Sequence, residues 1–273
     1  MFKRLFLLLP IISLSPVFAQ ATSPETAPPS AETIVSHCDY KDPGLDQRTK
    51  MTLTVAAAEG RNKKSQYLRL WKRDDKRKEF GDKLLLITQY PPDAKGMAFL
   101  RFSETSKGKS AIEQWIYLPV SRSISPVVLR DPSESFLGSD LTHGDIDPRN
   151  IDQDTHKLLS TKQTKEGTIY LVEHKPHEKK PQYSKRISRY LKPNDWQSCH
   201  KNAVLYFDKH GYELKRQNIA WQQVDGAWLW EKVLVQNLQT KHRSIFEISD
   251  VEINVGLKDR TFTQRTMQRG YRP

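Results

Sequence analysis

Residues 113–147 read EQWIYLPVSRSISPVVLRDPSESFLGSDLTHGDID. The stretch begins as a strand: Trp115, Ile116, Tyr117 and Leu118 supply aromatic and apolar side chains that suit a pleated, half-buried surface, and Pro119 ends the run. From Asp131 the residues are those of turns and caps, Pro132, Ser133, Ser135, Gly138, Ser139 and Asp140, yet Phe136, Leu137 and Leu141 sit among them. A long connection that carries buriable side chains at fixed positions is more often functional than idle.

Strand-like runs extend from this stretch in both directions. On the N-terminal side Met51, Leu53 and Val55 alternate with Thr52 and Thr54, and Tyr67–Trp71, Leu84–Tyr90, Met97–Phe102 and Ile112–Leu118 follow. The turns between them have no room for a crossover helix, which predicts antiparallel pairing. On the C-terminal side the runs are Thr168–Glu173, Arg186–Leu191, Ala203–Phe207, Tyr212–Trp221, Ala227–Leu238 and Ser244–Ile253, with hairpin turns at Lys209-His210-Gly211 and Asp225-Gly226. About eleven strands with little helix predict a mainly β (α+β) fold: an incomplete, strongly curved antiparallel β-barrel. Ser30 is placed to cap a short helix bearing Ile34, Val35 and Cys38 on one face, and DRTFTQRTMQRG at 259–270 reads as a short helical or irregular tail.

The N-terminus reads as a secretory signal peptide over residues 1–19, with Lys3 and Arg4 before an apolar run and cleavage expected after Ala19. Residues 20–30 form a Pro/Thr/Ser-rich tether too polar to pack, and 31–273 a single domain. This places the mature chain in the periplasm. Cys38 and Cys199 are the only cysteines, an even count in a chain sent to an oxidising compartment, so a bridge between them is expected, two buried thiols being the alternative. The formal net charge of +12 stays strongly basic without Lys3 and Arg4. No nucleic-acid module accompanies the cations, so an anionic membrane surface is the more available partner and nucleic acid is not expected.

Several elements together resemble a known family. WIYLP at 115–119 and SFLGSDLTHGDI at 135–146 are similar to the paired signature of the LolA-like outer-membrane lipoprotein-sorting proteins, in the periplasmic branch associated with transporters of the resistance-nodulation-division (RND/MMPL-type) superfamily. Pro91, Asp93, Lys95, Gly96, Phe99 and Leu100 match a third element, Tyr183–Lys185 a fourth and Asp259–Phe262 a fifth, so the resemblance spans about residues 33–270. His143 stands where the family pattern commonly has an aromatic residue. The resemblance implies a LolA/LppX-like barrel with an N-terminal helix packed on the sheet, stapled by Cys38, and a loop or helix plug. It also implies a non-enzymatic carrier of lipid or lipoprotein acyl chains that cooperates with an inner-membrane transporter.

The residues give that implication physical content. An open antiparallel sheet with apolar side chains on its concave side leaves a groove unless something fills it, and Phe136, Leu137 and Leu141 are the candidate lid. Trp71, Phe99, Trp115 and Tyr117 are the candidate wall, and Ser139 and Asp140 the residues that fix the loop. Ser139, Asp140 and His143 lack the strand–elbow–helix context of a hydrolase nucleophile, so no catalytic residue is assigned. His174, His177 and Glu178, in a Lys/Pro-rich stretch, read as exposed loop residues rather than metal ligands, and His200 reads the same way. No metal or cofactor is expected. A second reading, a structural or adaptor subunit whose barrel is filled by its own side chains, stays open because strand register decides which residues face inward.

Overall fold

The computed structural model describes residues 28–56, 60, 62–74, 80–106, 109–127, 133–147, 149–179 and 181–272. The expected signal peptide at 1–19 and most of the expected tether at 20–30 lie outside the described residues.

The Ser30 hydroxyl accepts from the Thr33 N–H and caps helix α1 (Ala31–Cys38), whose Ala31, Ile34, Val35 and Cys38 are buried. Among the described residues thirteen strands follow: β1 (Asp46–Ala56), β2 (Lys63–Arg73), β3 (Phe80–Tyr90), β4 (Ala98–Ser106), β5 (Lys109–Leu118), β6 (Ser123–Pro126), β7 (Asp154–Thr164), β8 (Gly167–Pro176), β9 (Lys185–Lys192), β10 (His200–Phe207), β11 (Glu213–Val224), β12 (Ala227–Asn237) and β13 (Arg243–Ile253). Two further short α-helices occur among the described residues, α2 (His143–Ile146) before β7 and α3 (Gln264–Arg269) in the C-terminal tail.

The strands form one sheet in the order β6-β5-β4-β3-β2-β1-β13-β12-β11-β10-β9-β8-β7. The count is thirteen rather than eleven, and the two extra strands are the sheet's edges. β6 is four residues long and ends in a proline, while β7 is exposed on both faces from Leu159 to Gln163, so neither carries the alternation that marks a strand in sequence. Every neighbouring pair is antiparallel, as the short turns require.

The topology has a consequence for the central stretch. β1 and β13 pair in the middle, two meanders run outward to β6 and β7, and these edges do not pair with each other. The connection from β6 to β7 therefore has to cross from one edge of the sheet to the other. On the way Asp145 pairs with Lys215 of β11 and Asp147 with Arg101 of β4, six places away in the sheet. A flat sheet would separate those strands by about 29 Å at about 4.8 Å per strand, whereas two residues of chain span about 7 Å. The sheet curls around the connection.

Register sorts the side chains between two faces. Met51 opposes Tyr67 across β1 and β2, Trp71 opposes Leu84, Leu86 opposes Phe99, and Leu53 opposes Phe246, all on the concave face. The same face continues through Val233, Val235 and Ile219 to Val204, and then to Val172, Tyr170 and Tyr190, on which α1 packs. Cys38 and Cys199 are bonded, with Cα atoms 4.9 Å apart, and tie α1 to that end of the sheet. On the convex face Leu70, Leu85, Leu100 and Tyr117 are covered by the C-terminal tail through Leu257, Phe262 and Met267.

Candidate functional site

The segment that crosses the concave face is a compact hairpin. Ser135 bridges Thr142, the Phe136 N–H donates to the Leu141 carbonyl at 2.8 Å, and the tip turns through Leu137 and Gly138 at φ 54° and 72°. Glycine at 138 supplies this left-handed turn without a Cβ penalty. The Ser139 hydroxyl donates to the Phe136 carbonyl at 2.7 Å and accepts from the Leu141 N–H at 3.1 Å, closing the turn from inside. Phe136 and Leu141 thereby point together into the sheet and are 5% and 1% exposed. They join Met51, Leu53, Trp71, Leu86, Phe99 and Phe246 in one apolar cluster, with Leu137 packed at its margin.

The hairpin is held down by buried charge. Asp140 accepts from the Ser244 hydroxyl at 2.6 Å and lies 2.9 Å from His242 Nδ1, while its own N–H donates to Ser244 Oγ. Lys215, 4% exposed, donates to the Asp140 carbonyl at 2.8 Å and forms an ion pair with Asp145, itself 1% exposed. Asp145 also accepts from the Tyr183 hydroxyl at 2.8 Å and from the Thr142 N–H at 2.7 Å. Burial and the neighbouring Asp145 push the Tyr183 phenol far above its ordinary range, so it stays a hydrogen-bond donor.

At the other end of the segment Arg101 reaches Asp147 at 3.1 Å and Asp82 at 3.2 Å, and Asp82 also accepts from Trp71 Nε1 at 3.0 Å and Ser103 Oγ at 2.5 Å. Burial raises the Asp147 carboxyl to about 6; Arg101 opposes the rise, and Asp82 and Asp145 add to it. Burial also brings the nearby Arg69 guanidinium down to about 10, with Asp82 opposing and Arg101 reinforcing. The segment is thus an apolar hairpin flanked at both ends by buried or half-buried ionic contacts.

The structure brings together some of the sequence candidates and separates others. Trp71, Phe99, Phe136, Leu137 and Leu141 lie together on the concave side. Trp115 and Tyr117 do not join them: they face the convex side, where Tyr117 opposes Ala98 and both pack in the cluster closed by the C-terminal tail. A one-residue difference in strand parity separates the two outcomes. His143, where the family pattern commonly has an aromatic residue, packs edge-on to Phe136 at 5.4 Å, with burial and then Arg101 keeping its imidazole below the ordinary range. His174 is not in a loop. It is buried on β8, its Nδ1 2.8 Å from that of His156, and burial lowers it to about 3. Sequence reasoning missed Lys215, Arg101, Asp145, Asp147 and His242; Asp145 stands inside the quoted signature and Tyr183 inside another, but neither pattern names its partner.

A family model described only as that of an uncharacterized protein matches residues 81–269, more than half of the chain. A DUF1329 family protein from Desulfovibrio piger has the same fold, with a TM-score of 0.72 at 20% identity over 87% of this chain and 95% of that one. A domain assigned to outer membrane lipoprotein sorting, from Vibrio parahaemolyticus, has a TM-score of 0.70 at 23% identity over 87% and 96%. A LolA superfamily protein from Nitrosomonas europaea follows at 0.61 and 16% over 87% and 99%. The chain belongs to the family of that model, and its fold is LolA-like. No curated protein matches the sequence. In this chain of LolA-like fold the sheet is open, curled and antiparallel with few helices, and the hairpin lies in the connection between its two edges.

Proposed function

We propose that this LolA-like chain is a non-enzymatic periplasmic carrier that shelters the acyl chains of a lipid or lipoprotein on the concave face of its sheet. One observation carries the reading. The apolar wall is covered by a connecting hairpin, not by a second sheet, and the hairpin's own Phe136 and Leu141 stand where an acyl chain would lie. Taking an acyl chain out of water contributes roughly 0.8 kcal/mol per CH₂, so a chain of ordinary length outweighs the two side chains it displaces. The Lys215–Asp145 and Arg101–Asp147 pairs then set how readily the lid lifts, because separating either pair leaves charges that must be rehydrated.

The partners proposed with this role are an inner-membrane RND/MMPL-type transporter that loads or unloads the chain, and an anionic membrane surface to which the excess of basic residues steers it, an attraction that fades with salt. Native mass spectrometry of the mature protein from periplasm, followed by organic extraction, tests the carrier reading. A bound lipid at one copy per chain is expected. A clean apo mass that is unchanged by incubation with envelope lipids refutes it and leaves the self-filled adaptor.

A further inference from the structure

Beside the lid, on the side away from its apolar tip, lies a cavity of about 270 Å³ between the hairpin, the segment at 182–183 and the ends of β11 and β12. Roughly 300–1,000 Å³ is usual for a whole drug-sized ligand, so this space suits one polar group rather than a complete lipid. Apart from Leu214 its lining residues carry polar groups, with apolar carbon between them, where the lid's inner side is wholly apolar. Ser135, Ser139 and Thr142 contribute hydroxyls from the lid; Gln182, Tyr183 and Asn237 face them across the space. Ser139 and Thr142 flank Phe136 and Leu141, so an acyl chain entering in place of those side chains would bring its polar end to this cavity.

The electrostatics select the class of that polar end. Lys215 is the cation in the lining, and it is already engaged by Asp145, the Asp140 carbonyl and the ring faces of Tyr183 and Tyr206. Asp140 is a second lining group, its buried carboxylate already engaged by Ser244 and His242, so a phosphate here would meet a carboxylate and a cation that is already satisfied. What the lining has to spare is neutral: Asn237 Nδ2 and Gln182 Oε1 have no partner among the described residues, while Ser135 and Ser139 donate to carbonyls of the hairpin and Thr142 accepts from Gln182. We propose that this cavity is the headgroup subsite of the carrier and that it takes a neutral, hydroxyl-rich headgroup the size of one sugar. The assignment rests on the carrier reading above and narrows it to polyol-bearing lipids over phospholipids.

The test uses the full mature chain and three lipids with identical acyl chains: a monoglucosyl diacylglycerol, the parent diacylglycerol and phosphatidylglycerol. Their affinities are measured by competition against a fluorescent fatty acid. The glucosyl lipid is expected to bind at least tenfold more tightly than either of the others. That preference should disappear in Leu214→Trp, which fills the cavity, and in Asn237→Ser, which removes the amide donors while keeping an oxygen for the turn, with diacylglycerol binding unchanged in both. Equal affinity for the glucosyl lipid and diacylglycerol, or tighter binding of phosphatidylglycerol, overturns the headgroup assignment and leaves the carrier standing. If none of the three lipids binds, the carrier itself falls and the subsite with it.

Discussion

Replacing Phe136 by Ala asks directly whether the lid and the cargo compete for one wall. Phe136 is 5% exposed and meets Phe99 edge-on with ring centroids 5.8 Å apart. Truncating a fully buried Phe to Ala costs about 3–5 kcal/mol through lost burial and the cavity left behind. Here the side chain belongs to a connection between two edge strands, so the loss falls on docking of the hairpin more than on the sheet. A loss of about 3 kcal/mol raises the lid-open population by up to about 100-fold. When the binding-competent form is the open one, apparent affinity improves by the same factor until the open form predominates. The assay is equilibrium binding of a fluorescent fatty acid, with thermal unfolding followed in parallel. A dissociation constant lowered by one to two orders of magnitude is expected, with little change in unfolding temperature. An unchanged or weaker affinity refutes the competition, because it would mean that Phe136 lies off the path of the chain or forms part of the surface that holds it.

Two further perturbations follow from the same geometry. Asp147 has its folded-state pKa raised to about 6 from 3.8, so its contribution to stability is complete below about pH 3.8 and is lost as pH rises through about 6. Asp147→Asn is therefore expected to match the parent near pH 4 and to exceed it by about 2–3 kcal/mol at pH 7.5 in urea unfolding, and a difference that does not vary with pH would sink the assignment. The Cys38–Cys199 bridge closes a separation of 161 residues, for which the chain-entropy relation assigns about 5 kcal/mol. The denatured, unreduced protein should show no free thiol and the double Cys→Ser variant a much lower urea midpoint; two titratable thiols or an unmoved midpoint would contradict this.

How much of the molecule can be read from its sequence depends on how local each determinant is. The strands inside the sheet announce themselves by apolar alternation, as in Met51, Leu53 and Val55, because one side of each is buried. The edge strand β7 does not, since Lys162 and Gln163 meet water on either face. Phe136 and Leu141 were legible as buriable residues in a turn-rich connection, and Ser139 as the residue that closes the turn, since its bonds run to neighbours two and three residues away. Trp115 and Tyr117 had the right chemistry for the groove but the wrong parity, and parity is set by pairing with β4, not by any property of the residues.

The sequence alone determined that this chain is a basic, antiparallel β protein with two cysteines and with apolar side chains in its central connection. Only the tertiary structure decided what that connection does. By pairing β1 with β13 it made β6 and β7 the outer edges, so the segment between them had to cross the concave face. The ion pairs it makes there, Lys215 with Asp145 and Arg101 with Asp147, join residues 70 and 46 positions apart. A charge in a sequence looks the same whether it is solvated or buried, and its partner becomes visible only when the curled sheet removes the water between them.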